Sequence, residues 1–130
     1  MAYRVSRDEH GVPCITLTGE PAYCHALDAG VSGREPELGG GAWLVMAFPV
    51  WSAPDVAAVQ DAIDLAKRFG GRLDLGLRPY DDPLELQAWW PDADPDAPGP
   101  FWLLLRDGEV RRHRTGRVSA SELDRWVHAD

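Results

Sequence analysis

Six consecutive apolar residues, Trp43–Phe48, form the run that most narrows what this chain can fold into. A strand without polar alternation has no face for water, so it must lie inside a sheet covered on both sides. The flanking pattern supplies the cover, in an order typical of α/β domains. Val56, Val59, Ile63 and Ala66 recur at spacings of three and four, which predicts a helix from the Ser52-Ala53-Pro54-Asp55 loop to about Phe69, ended by Gly70-Gly71. Leu73, Leu75 and Leu77 alternate over Arg72–Leu77 as a strand would. Asp82-Pro83-Leu84-Glu85 opens a short helix, with Asp82 as cap and Pro83 at the first position. Phe101–Leu105 is a further strand, and Asp107-Gly108 a two-residue hairpin signal, because both positions of such a turn favour positive φ. Ser119–Val127 reads as a last helix, capped by Ser119 or Ser121, with Leu123, Trp126 and Val127 on one face.

Two of these stretches carry a family resemblance. Trp51-Ser52-Ala53-Pro54-Asp55 resembles the Trp-Cys-Gly-Pro-Cys loop of thioredoxins, with oxygen side chains in place of both sulfurs. Pro100-Phe101-Trp102-Leu103-Leu104-Leu105-Arg106-Asp107-Gly108 resembles the segment that begins with that family's cis-proline, and Gly116 stands where the family has a glycine before its last helix. More weakly, Ile15–Thr18 and Tyr23–Leu27 are similar to the family's first strand and first helix. The resemblance spans roughly residues 14 to 128. It implies an α/β, thioredoxin-like fold: a central mixed sheet of about five strands flanked by about four helices. Residues 1–13 are then an N-terminal extension and 14–130 the domain. By the same alignment the family's buried aspartate falls on Met46, and its neighbouring lysine on Leu77 or one position away.

The substitutions at the loop bear on chemistry. Thiol–disulfide exchange needs an attacking thiolate and a second thiol to resolve the mixed disulfide. A hydroxyl has no accessible anion near neutral pH, and a carboxylate cannot form the link. The expectation is a redox-inactive member of the superfamily with no catalytic residue at this loop. Ser52 and Asp55 also fit a capping box, Ser52 accepting from an early helix NH and Asp55 complementing the dipole. A nucleophilic serine needs a base, and His10, His25, His113 and His128 are not expected at the loop.

Composition limits the remaining classes. A chain of 130 residues is long enough for one core without disulfide staples. No stretch approaches the ~20 apolar residues of a membrane span, and the first ten residues lack a signal peptide's apolar core. The expected setting is cytoplasmic, with no membrane partner. Arginine supplies every basic residue except Lys67, a bias that suits a high-GC bacterial genome. The net charge of −8 argues against a nucleic-acid partner. The basic stretch Arg111-Arg112-His113-Arg114 with Arg117 reads first as the charged guard of an edge strand and second as a site for an anionic ligand. Cys14 and Cys24 are ten apart and read as free thiols. With His10 and His25 they match no common zinc spacing. No cofactor and no metal are expected.

Function is expected on the face that thioredoxins use to receive an extended peptide. Here that face gathers Trp51, Ser52, Asp55 and Pro100 with the loop Trp89-Trp90-Pro91-Asp92-Ala93-Asp94-Pro95-Asp96-Ala97-Pro98-Gly99, about five residues longer than the family pattern. Its prolines stiffen it, Asp92, Asp94 and Asp96 make it acidic, and the tryptophans offer an anchor. The expected partner is another protein or an extended peptide, basic or with an apolar residue flanked by basic ones. The chain then acts as a chaperone, assembly factor or adaptor. Redox-inactive thioredoxin-like chaperones of hydrogenase maturation are one precedent for such a role. The alternative is an enzyme: a thiol-dependent oxidoreductase using Cys14 or Cys24, or a glutathione-type ligand-binding enzyme using Ser52. Residues 28–40 carry no clear structural signal.

Overall fold

The computed structural model describes residues 3–27 and 40–129. A hairpin comes first, β1 (Tyr3–Arg7) and β2 (Pro13–Leu17), followed by β3 (Cys24–Ala26) and β4 (Ala42–Pro49). Helix α1 (Ala53–Phe69), β5 (Asp74–Tyr80) and α2 (Leu84–Trp89) follow, then β6 (Phe101–Arg106), β7 (Glu109–Thr115) and α3 (Ala120–His128). The main sheet has the order β3-β5-β4-β6-β7. β3, β5 and β4 run parallel, whereas β6 is antiparallel to β4 and β7 to β6. This is the five-stranded mixed sheet that the resemblance implies, with three helices among the described residues in place of about four.

β4 is the middle of the stack, and its residues Trp43–Pro49 are buried throughout. Leu44, Met46 and Phe48 point into one core with Val59, Ile63 and Ala66 of α1 and with Leu123 and Val127 of α3. Val45 and Ala47 point into a second core with Tyr80, Leu86 and Leu103. The period-3.6 face of α1 and the unbroken run of β4 therefore meet as the sequence requires. β5 runs three residues past the expected Leu77, to Tyr80. Leu77 turns its carbonyl toward Leu27, so Pro79 faces the same edge beyond Leu27, where its missing N–H breaks no ladder bond with β3. Asp107 and Gly108 both take positive φ at the β6–β7 turn, as expected.

The N-terminal third departs from expectation. The strand expected at Ile15–Thr18 is present as β2, but it pairs with β1 in a separate two-stranded sheet. The hairpin straddles the expected boundary between residues 13 and 14. Tyr23–Leu27 is not a helix: Cys24, His25 and Ala26 pair with Leu75, Gly76 and Leu77 as the parallel edge strand. Leu27 packs across Gly76 so closely that a Cβ there would lie 2.3 Å from the leucine Cδ1. Most of the 28–40 connector lies outside the described residues.

The hairpin is fastened at both ends. Tyr3 is buried in the α1-side core, and its hydroxyl donates to the Val56 carbonyl at 2.7 Å. Arg7 forks onto Asp81 with bonds of 2.6 and 2.7 Å. Replacing Tyr3→Ala should cost about 3 kcal/mol, within the range for emptying a large aromatic site. Urea unfolding of the purified variant measures it. A loss of only a few tenths would mean that β1 is not part of the cooperative core.

Candidate functional site

The C-terminal end of β4 delivers the chain to Trp51, and α1 begins two residues later. Ser52 is the N-cap by backbone: its carbonyl accepts from the Asp55 and Val56 amides at 3.1 and 3.0 Å. Its hydroxyl makes no capping bond, so the expected capping box does not form. The Ser52 amide donates to the Pro49 carbonyl instead, and the reciprocal half of the box is lost at Asp55, which is turned inward and only 4% exposed. Its Oδ1 accepts no hydrogen bond and stands 3.8 Å from Arg117 Nε, an ion pair without a hydrogen bond. An inward carboxylate cannot reach back to cap.

The cis-proline is in place. The Gly99–Pro100 peptide is cis, and the Pro100 carbonyl accepts from the Gly116 amide at 2.9 Å. Gly99 lies against the ends of β4 and β5: a Cβ there would sit 2.9 Å from both Pro49 Cδ and the Tyr80 hydroxyl. Only glycine fits that approach. Burial, and then the charge of Asp55, hold the Tyr80 hydroxyl well above the ordinary tyrosine range. Asp55, Arg117, Gly116 and Pro100 are linked in that order, and Tyr80 and Gly99 border them. Sequence patterns do not mark Tyr80, and they mark Gly99 only as the end of the acidic loop and Arg117 only within the basic stretch. Only Gly99 had a local signal, as the glycine preceding the proline. Tyr80 and Arg117 arrive through strand length and sheet order.

Beside this cluster lies an open groove of about 580 Å³ between β1 and the first turns of α1. Tyr3, Val5, Val50 and Val56 form its apolar wall, and Trp51 stands at its rim, 68% exposed. The Trp51 indole N–H donates to the Asp81 carbonyl at 2.9 Å, so the ring is exposed but held. The Arg7 guanidinium on Asp81 keeps that carboxylate below its usual range.

The acidic loop is more ordered than its composition suggests. Asp92, Asp94 and Asp96 are exposed, while Ala93 between them is buried in the second core and Ala97 packs against it. Asp94 Oδ1 accepts from the Asp96 amide at 2.9 Å, a local turn that accounts for this aspartate structurally. Trp90 packs in the second core and meets His113 edge-on at 5.0 Å between ring centres. Trp89 falls on α2, but its side chain lies outside the described residues.

The positions expected to match the family's aspartate and lysine are cross-strand partners: Met46 on β4 stands opposite Leu77 on β5, both fully buried. The sulfurs are elsewhere. Cys14 and Cys24 are free, and Cys24 stands opposite Leu75, whereas the loop follows the strand end where Pro49 meets Tyr80. Five residues at the usual rise place Cys24 about 16 Å from that end along the sheet. Burial first, and the Glu20 carboxylate second, push the Cys24 thiol up to about 11. Among the described residues no three His, Cys, Asp or Glu side chains are grouped to hold a metal ion. Nor is any helix there long and apolar enough to cross a membrane.

No protein-family model and no curated protein matches this sequence. Among solved structures, the chain is similar to thioredoxin-2, a component of the malaria parasite's protein secretion machinery. Identity is 15%, the match covers 75% of this chain and 90% of that one, and the TM-score is 0.55. The fold is thioredoxin-like, and a likeness at this identity carries the fold alone.

Cys24 supplies a prediction with a definite sign. Its neutral form is favoured up to about pH 11, and only the thiolate attacks an alkylating agent. Iodoacetamide labelling of Cys24 near pH 8 should therefore run about a hundredfold slower in the folded chain than in the denatured one. Mass-spectrometric labelling rates read this directly. Equal rates would show that the fold does not suppress the thiolate, and a faster rate in the folded chain would show a thiol activated for chemistry.

Proposed function

We propose that this thioredoxin-like chain is a binding module for an extended segment of another protein, and that it performs no thiol–disulfide exchange. The observation that carries the reading is the occupancy of the α1 N-terminus and of the strand positions that precede it: a hydroxyl at Ser52, a buried carboxylate at Asp55, and Met46 and Leu77 paired three register positions from the strand end. Neither oxygen group forms the mixed disulfide that exchange requires. What remains is an exposed but tethered Trp51 beside an apolar groove, with the Asp81 carboxylate already paired to Arg7; we propose that the exposed Asp92, Asp94 and Asp96 of the acidic loop add to the same recognition surface.

The chemistry of that face specifies the partner. An apolar side chain, flanked by arginine or lysine, fits the groove with its charges toward the aspartates. A partner cation near Asp55 completes the ion pair that Arg117 makes only at 3.8 Å. A role as chaperone, assembly factor or adaptor follows, in a cytoplasmic setting, and maturation of a metalloenzyme such as hydrogenase is one process that uses such proteins.

Fluorescence anisotropy with labelled peptides tests this. Peptides carrying a central Phe or Leu between basic residues should bind in preference to acidic or fully polar ones. Trp51→Ala should weaken binding by about tenfold or more, as expected for an aromatic anchor. Neutralising Asp92, Asp94 and Asp96 to Asn should weaken it less and remove much of its salt dependence. Melting temperatures should stay nearly unchanged. Binding that survives both sets of changes would place the site elsewhere.

Redox inactivity has its own test. The wild type should show no more insulin disulfide reduction than a Cys14→Ser/Cys24→Ser double variant. Turnover lost in that variant would establish the thiol-dependent enzyme instead.

A further inference from the structure

The opposite end of the sheet carries an arginine-lined concavity of about 250 Å³, bounded by the last turns of α1 and α3 and by the β6–β7 end. Its apolar lining includes Phe69, Leu104 and Val127, and its polar side chains are the guanidinium groups of Arg72, Arg106 and Arg111 with the imidazole of His128. The chain as a whole has a net charge of −8, so this end reverses the prevailing sign.

Three features show that the cations are arranged around the concavity. The guanidinium of Arg72 lies 5.6 Å from the centre of the Phe69 ring, and the His128 ring stacks against Phe69 at 4.8 Å. A guanidinium and an imidazole are thus gathered on one aromatic ring. The third feature is a break in register. Leu104 stands opposite Arg112 and Leu105 opposite Val110, which leaves Arg111 unopposed in a β-bulge. A bulge re-aims a side chain, and Arg111 lines the concavity although its neighbours Arg112 and Arg114 lie over Trp126 of α3.

Helix ends alone do not explain the set. A cation near the C-terminus of α1 complements the dipole, which accounts for Arg72, and His128 is held by Asp124 of its own helix. Arg106 and Arg111 are on strands. Carboxylates temper only part of the charge: Glu109 is 3.6 Å from Arg111, and Asp124 is 2.8 Å from His128. Among the described residues, Arg72 and Arg106 have no carboxylate within ion-pair distance.

The geometry points to a binding site for a small organic oxyanion, a carboxylate or phosphate monoester with a short apolar body. Guanidinium forks suit either head group, and Phe69, Leu104 and Val127 suit the body. This site stands at the far end of the sheet from the proposed peptide face and does not depend on it.

Amide chemical-shift titrations with hexyl phosphate, hexanoate, inorganic phosphate and hexan-1-ol test the assignment. Hexyl phosphate, hexanoate or both should give saturable shifts at Phe69, Leu105, Arg106 and Val127, and which of them binds tighter identifies the head group. Inorganic phosphate and hexan-1-ol should each bind at least about tenfold more weakly than the better probe, because each lacks one half of the contact set. The R72Q/R106Q variant should lose about tenfold or more of that affinity, R111Q should also weaken it, and R125Q on the exposed side of α3 should not. Thermal melts run alongside establish that each variant is folded. Absence of saturable shifts, shifts confined to the Trp51 end, or undiminished affinity in folded R72Q/R106Q and R111Q would overturn the proposal. Inorganic phosphate binding as tightly as hexyl phosphate would remove the apolar body from it.

Discussion

β4 has no side that water can reach, and the rest of the fold answers to that constraint. Its Leu44, Met46 and Phe48 must be covered from one side and its Val45 and Ala47 from the other, so a layer has to be built on each face. The chain does this by leaving β4 into α1, returning as β5 on one flank, and coming back antiparallel as β6 on the other. The strand order therefore reverses about β4. In open α/β sheets, the crevice at the carboxyl ends of the strands beside such a reversal is where ligands bind. Trp51, Ser52 and Asp55 occupy that crevice because β4 ends there. The cis-proline segment closes it because β6 begins there.

Within the crevice, the telling feature is a buried charge. Asp55 is withdrawn from water without a hydrogen bond to Oδ1, a placement that costs several kcal/mol unless it is compensated. Two compensations are visible: the positive end of α1 and the guanidinium of Arg117. Neither uses all the hydrogen-bonding capacity of the carboxylate. Met46 and Leu77, paired three register positions from the strand end, contribute apolar packing and no charge. A thiolate-forming site needs titrating groups that exchange protons with one another, and neither of these side chains titrates.

What was legible in the sequence follows from where the information lies. The helix α1, the strands β4 and β6 and the Asp107-Gly108 turn are local patterns, a period or a dipeptide, and they appear where those patterns put them. So do Trp51 and cis-Pro100. The N-terminal region was misread because its structure depends on partners. Cys24-His25-Ala26 is too short for any period, and it becomes a strand because Gly76 lets Leu27 close over β5. In β1 only Tyr3 and Val5 are apolar, among arginine and serine, and what fixes the strand is a hydroxyl bond to α1 and an ion pair to Asp81. The same holds for Tyr80 and Arg117. They reach the site through β5 running past its expected end and through β7 returning alongside β6 to bring Gly116 against Pro100, and neither fact is local. The capping box at Ser52 failed for the complementary reason: a good local pattern lost to a tertiary demand on Asp55.

The two ends of the sheet are electrically opposed, and in a sense contrary to what the long helix imposes. The positive pole of α1 lies at Asp55 and its negative pole at Phe69. Left to the helix alone, the Trp51 end would attract anions and the far end cations. Side chains reverse both. Asp55 sits on the positive pole, with Asp81 close by under Trp51. Arg72 and His128 crowd the negative pole, joined there by Arg106 and by Arg111 at its bulge. At the negative pole, the helix end explains only part of the charge, since Arg106 and Arg111 belong to strands. At the positive pole, neutralising the dipole would not require burying the carboxylate, because an exposed aspartate in the first turn does that at less cost. There Arg117 and Arg7 offset Asp55 and Asp81 from within the chain. At the far end, among the described residues, Arg72 and Arg106 have no such partner, so the uncompensated charge is concentrated there.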